Sequence, residues 1–181
     1  AEMGTALHAF LEHADFAALA AAKTSGTLDE AICAERDRQV AVQLTPPEIA
    51  EKLDVRRIRR FAESDAFARI CAADAVLREL AFITALPASA VLAAQGSAAP
   101  EGEAAKASVL VQGIADIVLI FPDHLELLDY KTDRRKTEAD FLAAYRAQLN
   151  LYALAIDKRF APKKVTYKGI YSLELGRLIE A

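Results

Sequence analysis

The spacing of apolar residues divides the chain into a first part with helical periodicity and a second part with strand-like runs. In the first part apolar residues recur at three- and four-residue intervals, the spacing of one helix face: Leu7, Leu11, Ala14 and Ala18. The second part instead has short continuous apolar runs, which are typical of buried strands. The pattern predicts a helical region over residues 1–78, packed on a sheet-containing core over residues 79–181 as one structural unit.

Capping signals predict where the helices of the first part begin. Thr27 is followed three residues later by a glutamate, the spacing of a capping box, which predicts a helix from Thr27 to about Leu44. Thr45 opens a second signal of this kind, and the two prolines after it suit a first helical turn. That signal predicts a helix to about Ala62, and a short helix is predicted from Ser64.

The apolar runs of the second part predict a sheet. They are ELAFITAL (79–86), VLVQGIADIVLIF (109–121), LELLDYK (125–131) and the final KVTYKGIYSLELGRLIEA (164–181), which holds one or two strands. Pro122 and Asp123 separate the second run from the third, as in a hairpin. A long helix is predicted from Thr137 to Arg159. This order predicts the α/β class, specifically an α+β mixed sheet with helices packed on it.

The hairpin brings three charged residues together. If its loop is symmetric about Pro122 and Asp123, Asp116 lies opposite Asp129, with Cβ atoms roughly 4.5–5.5 Å apart. Lys131 lies two residues further on and projects from the same face. Two bare carboxylates this close repel each other, and a hard divalent cation removes that conflict. The alternative is structural, a salt bridge from Lys131 to either aspartate.

Composition and charge limit the function classes. The chain has 181 residues, of which 54% are hydrophobic, enough for the core of one domain. Its net charge of −4 excludes a broadly basic nucleic-acid coat. The basic residues nevertheless cluster at 56–60, 134–136 and 163–168, and each cluster is either a phosphate-binding surface or an ordinary solvated face.

The cysteine pattern and the chain start concern cofactors and compartment. Cys33 and Cys71 form no Cys-x-x-Cys pair, so the sequence predicts neither a zinc site nor an iron–sulfur cluster. A reducing cytoplasmic location is the simplest expectation, since no signal peptide or membrane-length apolar run is visible. Because the chain starts at Ala1 and its one methionine is Met3, we expect a piece excised from a longer protein.

Three segments together resemble a known family. GIADIVLIFPDHLELLDYKTD (113–133), YRAQLNLY (145–152) and GTALHAFLE (4–12) resemble, in this combination, the RecB-type branch of the PD-(D/E)XK nuclease superfamily. That branch includes the nuclease domains of AddA-type helicase–nuclease subunits. The resemblance implies a restriction-endonuclease-like core with an N-terminal helical region. It covers most of the chain and is thin between the first segment and Gly113.

The resemblance also implies roles for individual residues. It implies that Asp116 and Asp129 are metal ligands, that the main-chain carbonyl of Tyr130 and the ring of His8 complete the metal shell, and that Lys131 is the catalytic lysine. Gln148 and Tyr152 match a supporting motif, and Glu79 matches an acidic position before the first strand that has no assigned role. The implied cofactor is Mg²⁺, with Mn²⁺ as an alternative because imidazole is a softer ligand. Without the resemblance, His8 is a structural histidine, and Gln148 and Tyr152 are a packing pair one helical turn apart.

The implied function is that of a metal-dependent deoxyribonuclease, acting as exonuclease or endonuclease in double-strand break repair by recombination. The implied partners are single-stranded DNA, helicase domains of the same longer chain that deliver it, and a second, AddB-like subunit. No nucleotide is expected to bind here, because the chain lacks a phosphate-loop motif. Arg134 and Arg135 are the expected phosphate contacts. The alternatives are a decayed nuclease fold that only binds DNA or a partner, and an unrelated α/β protein with a buried salt bridge.

Overall fold

The computed structural model describes residues 2–98 and 102–181, and it contains helices and one five-stranded sheet. The helices are α1 (Glu2–His13), α2 (Phe16–Ser25), α3 (Leu28–Ala41), α4 (Pro47–Ala50), α5 (Val55–Ala62), α6 (Asp65–Ala72), α7 (Ala88–Ala94), α8 (Glu103–Lys106) and α9 (Glu138–Arg159). The strands are β1 (Ala75–Pro87), β2 (Ser108–Ile120), β3 (Leu125–Lys131), β4 (Val165–Ser172) and β5 (Arg177–Glu180). Within the described ranges, no helix combines the length and the apolar character that a membrane crossing requires.

The sheet is mixed, and its strands lie side by side in chain order. β1 pairs antiparallel with β2, and β2 pairs antiparallel with β3. The N–H of Leu125 donates to the carbonyl of Lys164 at 2.8 Å, and the N–H of Leu173 donates to the carbonyl of Lys131 at 2.9 Å. Partners at both ends therefore advance in the same direction, so β3 and β4 are parallel, with α9 as the crossover between them. The predicted mixed α/β fold is confirmed.

The chain divides into two compact units. One comprises Asp74–Asp129, Arg135–Ile170 and Ile179–Ala181. Its apolar core lies between the sheet and α9, where Phe141, Leu149 and Ile156 pack on the strands. Thr137 begins α9 with a capping box that it shares with Asp140, so the predicted start and end of this helix are confirmed.

The other unit comprises the residues through Ala73 together with Tyr130–Arg134 and Tyr171–Leu178. Aromatic rings form its centre: the Phe61 ring meets the rings of Phe67 and Tyr171 edge-on, with centroids 5.6 Å and 5.1 Å away. This arrangement suits the ring quadrupoles and adds to the area that the rings bury.

A buried polar network connects three helices of this unit around the carboxylate of Glu35. Arg38 Nη2 donates to Glu35 Oε1 at 2.6 Å, and Gln39 Nε2 donates to the same oxygen at 3.0 Å. The Asp15 N–H, at the start of α2, donates to it at 3.3 Å. Gln39 also donates to the carbonyl of Phe10 in α1 at 3.1 Å. The network therefore holds the ends of α1 and α2 against α3.

Several predicted helix boundaries are wrong. The side chain of Thr27 caps no helix N–H and instead forms a hydrogen bond with Ser25 Oγ at 2.8 Å, and α3 ends at Ala41. The segment predicted as one helix from Thr45 to Ala62 contains two, because Asp54 caps a new helix by accepting from the Arg56 N–H. The predicted helix after Ser64 is confirmed, with Ser64 as its N-cap.

The first strand is also longer than predicted. β1 begins at Ala75, four residues before the apolar run that predicted it, because Leu77 packs into the core beside α9. Glu79 therefore lies inside the strand and not before it, which corrects the position expected for this acidic residue.

Candidate metal centre

Two carboxylates face each other across the first two strands. Arg78 pairs with Ile117 and Leu80 pairs with Ala115, so Glu79 lies level with Asp116 in the β1–β2 register. Both side chains are half-buried. A carboxylate oxygen of Glu79 lies within 4.8 Å of one of Asp116. Glu79 thus joins the site that the sequence assigned to the hairpin.

The backbone is irregular where these carboxylates meet. Glu79 has φ of +46°, in the left-handed region that residues with a Cβ rarely adopt. On β2, Ala115 and Val118 both belong to the core beside α9, although strict alternation would place residues three apart on opposite faces. The alternation therefore shifts at this point, and irregularities of this kind in a strand re-aim side chains. Asp116, two residues before Val118, shares the α9 side of the sheet.

The third carboxylate belongs to Asp129 on β3. The Cα pairs of the hairpin run from Ile117–Leu128 to Ile120–Leu125, which confirms the register predicted from the loop. One residue beyond this paired segment, Asp116 is level with Asp129. The Asp129 side chain is buried, with 4% of its surface exposed. Glu79, Asp116 and Asp129 therefore form a row across three adjacent strands.

Lys131 and Tyr130 follow Asp129 at the end of β3. Lys131 is half-buried and, being two residues from Asp129, projects from the same face. Tyr130 projects from the opposite face, where it is buried and its ring centroid lies 5.4 Å from that of Phe61. The aromatic anchor of Tyr130 and the backbone hydrogen bond from Leu173 to Lys131 hold this strand end in place.

Helix α1 packs on the residues that follow the strand. A Cβ added to Gly4 would lie 2.6 Å from Oγ1 of Thr132, so only glycine permits this close approach. One turn further along α1, the ring of His8 meets the ring of Tyr130 edge-on with centroids 5.9 Å apart. The GTALH segment therefore docks on the Asp-Tyr-Lys-Thr segment through two contacts, and His8 contacts the residue next to Asp129.

The donor set of the carboxylate row fits a hard divalent cation. Carboxylate oxygens are the ligands that Mg²⁺ prefers, at about 2.0–2.1 Å from the ion. The oxygens of Glu79 and Asp116 are close enough to reach one cation together. A bound cation would also offset the mutual repulsion of carboxylates on neighbouring strands.

Comparison with known families agrees with this geometry. The family model of the PD-(D/E)XK nuclease superfamily matches residues 1–177. The chain belongs to the PD-(D/E)XK nuclease superfamily. The match includes α1 and the carboxylate row, so the features described above lie within the family's extent.

Relatives of this nuclease chain carry a more specific name. The chain is 34% identical over 97% of its length to the AddA-type subunit of the ATP-dependent helicase/nuclease of Heliobacterium modesticaldum, and covers 12% of that protein. It is 32% identical over 99% of its length to the protein of the same name from Acetivibrio thermocellus, and covers 13% of it. The similarity to AddA-type subunits is confirmed, and the chain spans about an eighth of their length.

The supporting motif of the nuclease family packs against β2. A Cβ added to Gly113 would lie 2.7 Å from the hydroxyl oxygen of Tyr152. The ring of Tyr152 also meets Phe82, the β1 partner of Gly113, with centroids 4.9 Å apart. Tyr152 thus fills the space above Gly113, three residues before Asp116. Gln148 is half-buried one turn earlier on α9.

Two of the three basic clusters of this nuclease chain serve internal contacts. In the first, Arg57 pairs with Glu174 at 2.6 Å and Arg59 pairs with Asp29 at 2.8 Å. In the third, Lys163 donates to the carbonyl of Phe121 at 2.6 Å. The internal contacts of these residues favour a stabilising role for the two clusters over phosphate binding.

The remaining cluster lies just after β3. Arg134 and Arg135 are exposed in the bend between β3 and α9. Lys136 lies over the ring of Tyr145 at 4.8 Å. The two arginines therefore present positive charge at the surface, whereas Lys136 is held against α9.

Sequence reasoning missed two close contacts of the site, Gly113 with Tyr152 and Gly4 with Thr132. A signal for the first was present, because a glycine inside a strand often marks a place where another group approaches closely. The partner could not be named from the sequence, since Tyr152 lies 39 positions further along the chain.

Proposed function

We propose that this chain is the metal-dependent DNA nuclease domain of a helicase–nuclease, hydrolysing phosphodiester bonds. The observation that carries the proposal is the carboxylate row, in which Asp116 lies within 4.8 Å of Glu79 and level with Asp129. The superfamily and the names of the relatives favour a nuclease over a protein with a structural salt bridge.

In this proposal Asp116 and Asp129 hold the divalent cation, Mg²⁺ or Mn²⁺, together with the main-chain carbonyl of Tyr130. His8 is an additional ligand, a role supported by its position in the GTALH motif. Glu79 supplies a further carboxylate oxygen beside Asp116. The bound cation lowers the pKa of water and neutralises charge that develops on the phosphate.

Lys131 is the catalytic lysine of the proposal. Its ammonium projects from the face that carries Asp129, where it donates hydrogen bonds to the attacking water or to a phosphate oxygen. A donor held in this position stabilises the negative charge that builds up in the transition state. Lys131 is not a metal ligand, because an ammonium group has no lone pair to donate.

Gln148 and Tyr152 have a supporting role. Tyr152 packs over Gly113 and Phe82, and this contact fixes the part of β2 that leads into Asp116. Gln148, on the preceding turn of α9, offers an amide to the same side of the sheet.

The proposed substrate is single-stranded DNA in double-strand break repair by recombination. The relatives are named as helicase/nuclease subunits, and the chain matches only 12% of the first of them. We infer that helicase domains of a longer chain deliver the strand, that an AddB-like subunit completes the enzyme, and that the enzyme acts in the cytoplasm. Arg134 and Arg135 are the proposed phosphate contacts of this domain.

The test is cleavage of a labelled single-stranded oligonucleotide by Asp116→Ala and Asp129→Ala, with Mg²⁺ or Mn²⁺ present. Each variant is expected to lose cleavage and to keep the circular-dichroism spectrum of the parent. Arg56→Ala, which changes a side chain that is 92% exposed, is the matched control and should cleave normally. Undiminished cleavage by either folded aspartate variant would contradict the assignment, and it would favour the binding-only alternative if the parent chain also fails to cleave.

A further inference from the structure

A groove between α7 and α9 lies outside the carboxylate row. It has a volume of about 500 Å³ and is floored by alanines, with Gln95, Arg146 and Asn150 as its polar side chains. The described residues that line it include no carboxylate. Small side chains make the groove, and the polar groups converge on it from both helices.

The positive charge beside this groove is not balanced by a neighbouring carboxylate. Arg146 is exposed and forms no ion pair within residues 2–98 and 102–181. Lys168, on β4, is half-buried and donates to Oδ1 of Asn150. Burial lowers the pKa of Lys168, and the positive charge of Arg146 lowers it further. Two cations therefore lie near each other beside an open groove, an arrangement that an anion stabilises.

The amide of Asn150 fixes the floor of the groove. Its Nδ2 donates to the carbonyl of Ala94, the last residue of α7, at 3.3 Å. Its Oδ1 accepts from Lys168. Asn150 thus joins α7, α9 and β4, so the positions of both cations are set by the fold and not by flexible surface chains.

We propose that the α7–α9 groove binds a backbone phosphate of the DNA strand, through Arg146 with Lys168 beneath it. This inference rests on the proposed function, because it assigns part of the substrate's path to a second place on the domain. A guanidinium in a groove matches the geometry of a phosphate, and each such contact releases counterions from the strand.

The bound phosphate is not the one that is cleaved. At about 100° per residue on α9, Arg146 points roughly 160° away from Gln148, which belongs to the nuclease motif. A strand that reaches both places must pass around the helix. Arg146 therefore contributes to strand affinity, and its loss should raise KM more than it lowers kcat.

The test measures binding of a fluorescent single-stranded oligonucleotide by anisotropy, with Asp116→Ala in the background so that the strand stays intact. Arg146→Ala is expected to weaken binding roughly three- to tenfold, and the salt dependence of log K should fall by about 0.7. Arg56→Ala is the matched control, an equally charged and exposed arginine on α5, and it should change neither quantity.

A second arm identifies the source of the phosphate. Oligonucleotides that each carry one neutral methylphosphonate should show one position whose cost disappears in Arg146→Ala. Equal affinities of Arg146→Ala and Arg56→Ala would overturn the proposal. So would a result in which inorganic phosphate binds in an Arg146-dependent manner and the oligonucleotide does not.

These outcomes are separate from those of the proposed function. If cleavage depends on Asp116 while Arg146→Ala binds DNA normally, the groove proposal alone is wrong. If Arg146→Ala weakens strand binding while cleavage does not depend on Asp116, the groove proposal holds and the nuclease assignment is wrong.

Discussion

At the scale of single residues, the backbone at Glu79 is the clearest sign that function shapes the site. A positive φ inside a strand costs about 1–3 kcal/mol for a residue with a Cβ, and Glu79 has φ of +46°. It also brings a second carboxylate within 4.8 Å of Asp116. Neither feature stabilises the fold without a cation, so we infer that both are retained for binding one.

The first prediction compares Glu79→Gly with Glu79→Gln. Both remove a charge next to Asp116, so both should weaken Mn²⁺ binding. Glycine also relieves the positive φ, so Glu79→Gly without metal should be about 1 kcal/mol more stable than Glu79→Gln. Urea unfolding in EDTA measures the difference. A glycine variant less stable than the glutamine variant would show that the backbone at this position is not strained.

At the scale of elements, the site depends on close packing between α9 and β2. A Cβ at Gly113 would lie 2.7 Å from the Tyr152 hydroxyl, and the ring cannot move away freely because it packs on Phe82. The helix that carries the supporting motif is therefore fitted to the strand that carries Asp116. A glycine and a tyrosine far apart in the sequence act as one packing unit.

The second prediction is a double-mutant cycle on this pair. Gly113→Ala should destabilise the protein by about 1–3 kcal/mol through overpacking, and it should reduce cleavage because β2 shifts near Asp116. Adding Tyr152→Ala removes the clash, so the double variant should lose less stability than the sum of the single changes. Strict additivity in urea unfolding would show that the two residues do not press on each other.

Local patterns predicted the elements and part of the site. The symmetric loop at Pro122 and Asp123 gave the hairpin register that the structure has, because strand pairing next to a tight turn is set by the turn. The capping box at Thr137 marked the start of α9 for a similar local reason. Both features depend on residues within one hairpin or one helical turn.

Features that depend on distant partners were not predicted. The position of Glu79 inside β1 follows from the packing of Leu77 on the core beside α9. The approach of α1 to the segment after β3 requires Gly4 to lie against Thr132. Periodicity carries no information about such contacts, because it reports the face of an element and not its neighbour.

At the scale of the whole molecule, the stability of the helical unit depends on an ionised carboxylate. Burial alone would raise the pKa of Glu35, but hydrogen bonds from Arg38, Gln39 and the Asp15 N–H together lower it below its ordinary value of 4.5. The folded state therefore binds a proton at Glu35 less readily than the unfolded state does. The stabilisation is present above pH 4.5 and is lost as the pH falls through the folded-state pKa.

The third prediction follows from this linkage. Glu35→Gln should lower the free energy of unfolding at pH 7 by about 1–3 kcal/mol, because Arg38 loses a charged partner. The difference from the parent protein should shrink as the pH falls below 4.5. Urea unfolding at several pH values measures it, with Glu63→Gln, on the exposed Arg59 pair, as the control. A difference that stays constant with pH would contradict the role of ionised Glu35.

The fourth prediction concerns the charge of the domain. With a net charge of −4 and only a short exposed basic cluster, the domain should bind DNA weakly and with a strong salt dependence. Changing both Arg134 and Arg135 to Ala should lower the slope of log K against log salt by about 1.4 on single strands. The loss should be similar on unrelated sequences. An unchanged slope would remove these arginines from the DNA-binding surface.

The central claim is that the carboxylate row holds a divalent cation, and calorimetric titration of Mn²⁺ tests it most directly. Asp116→Asn and Asp129→Asn keep the size of each side chain and remove the charge that a hard cation requires. Both should lose Mn²⁺ binding, His8→Ala should weaken it less, and Lys131→Ala should bind as well as the parent because Lys131 is not a ligand. Asparagine variants that bind Mn²⁺ as tightly as the parent chain would contradict the account.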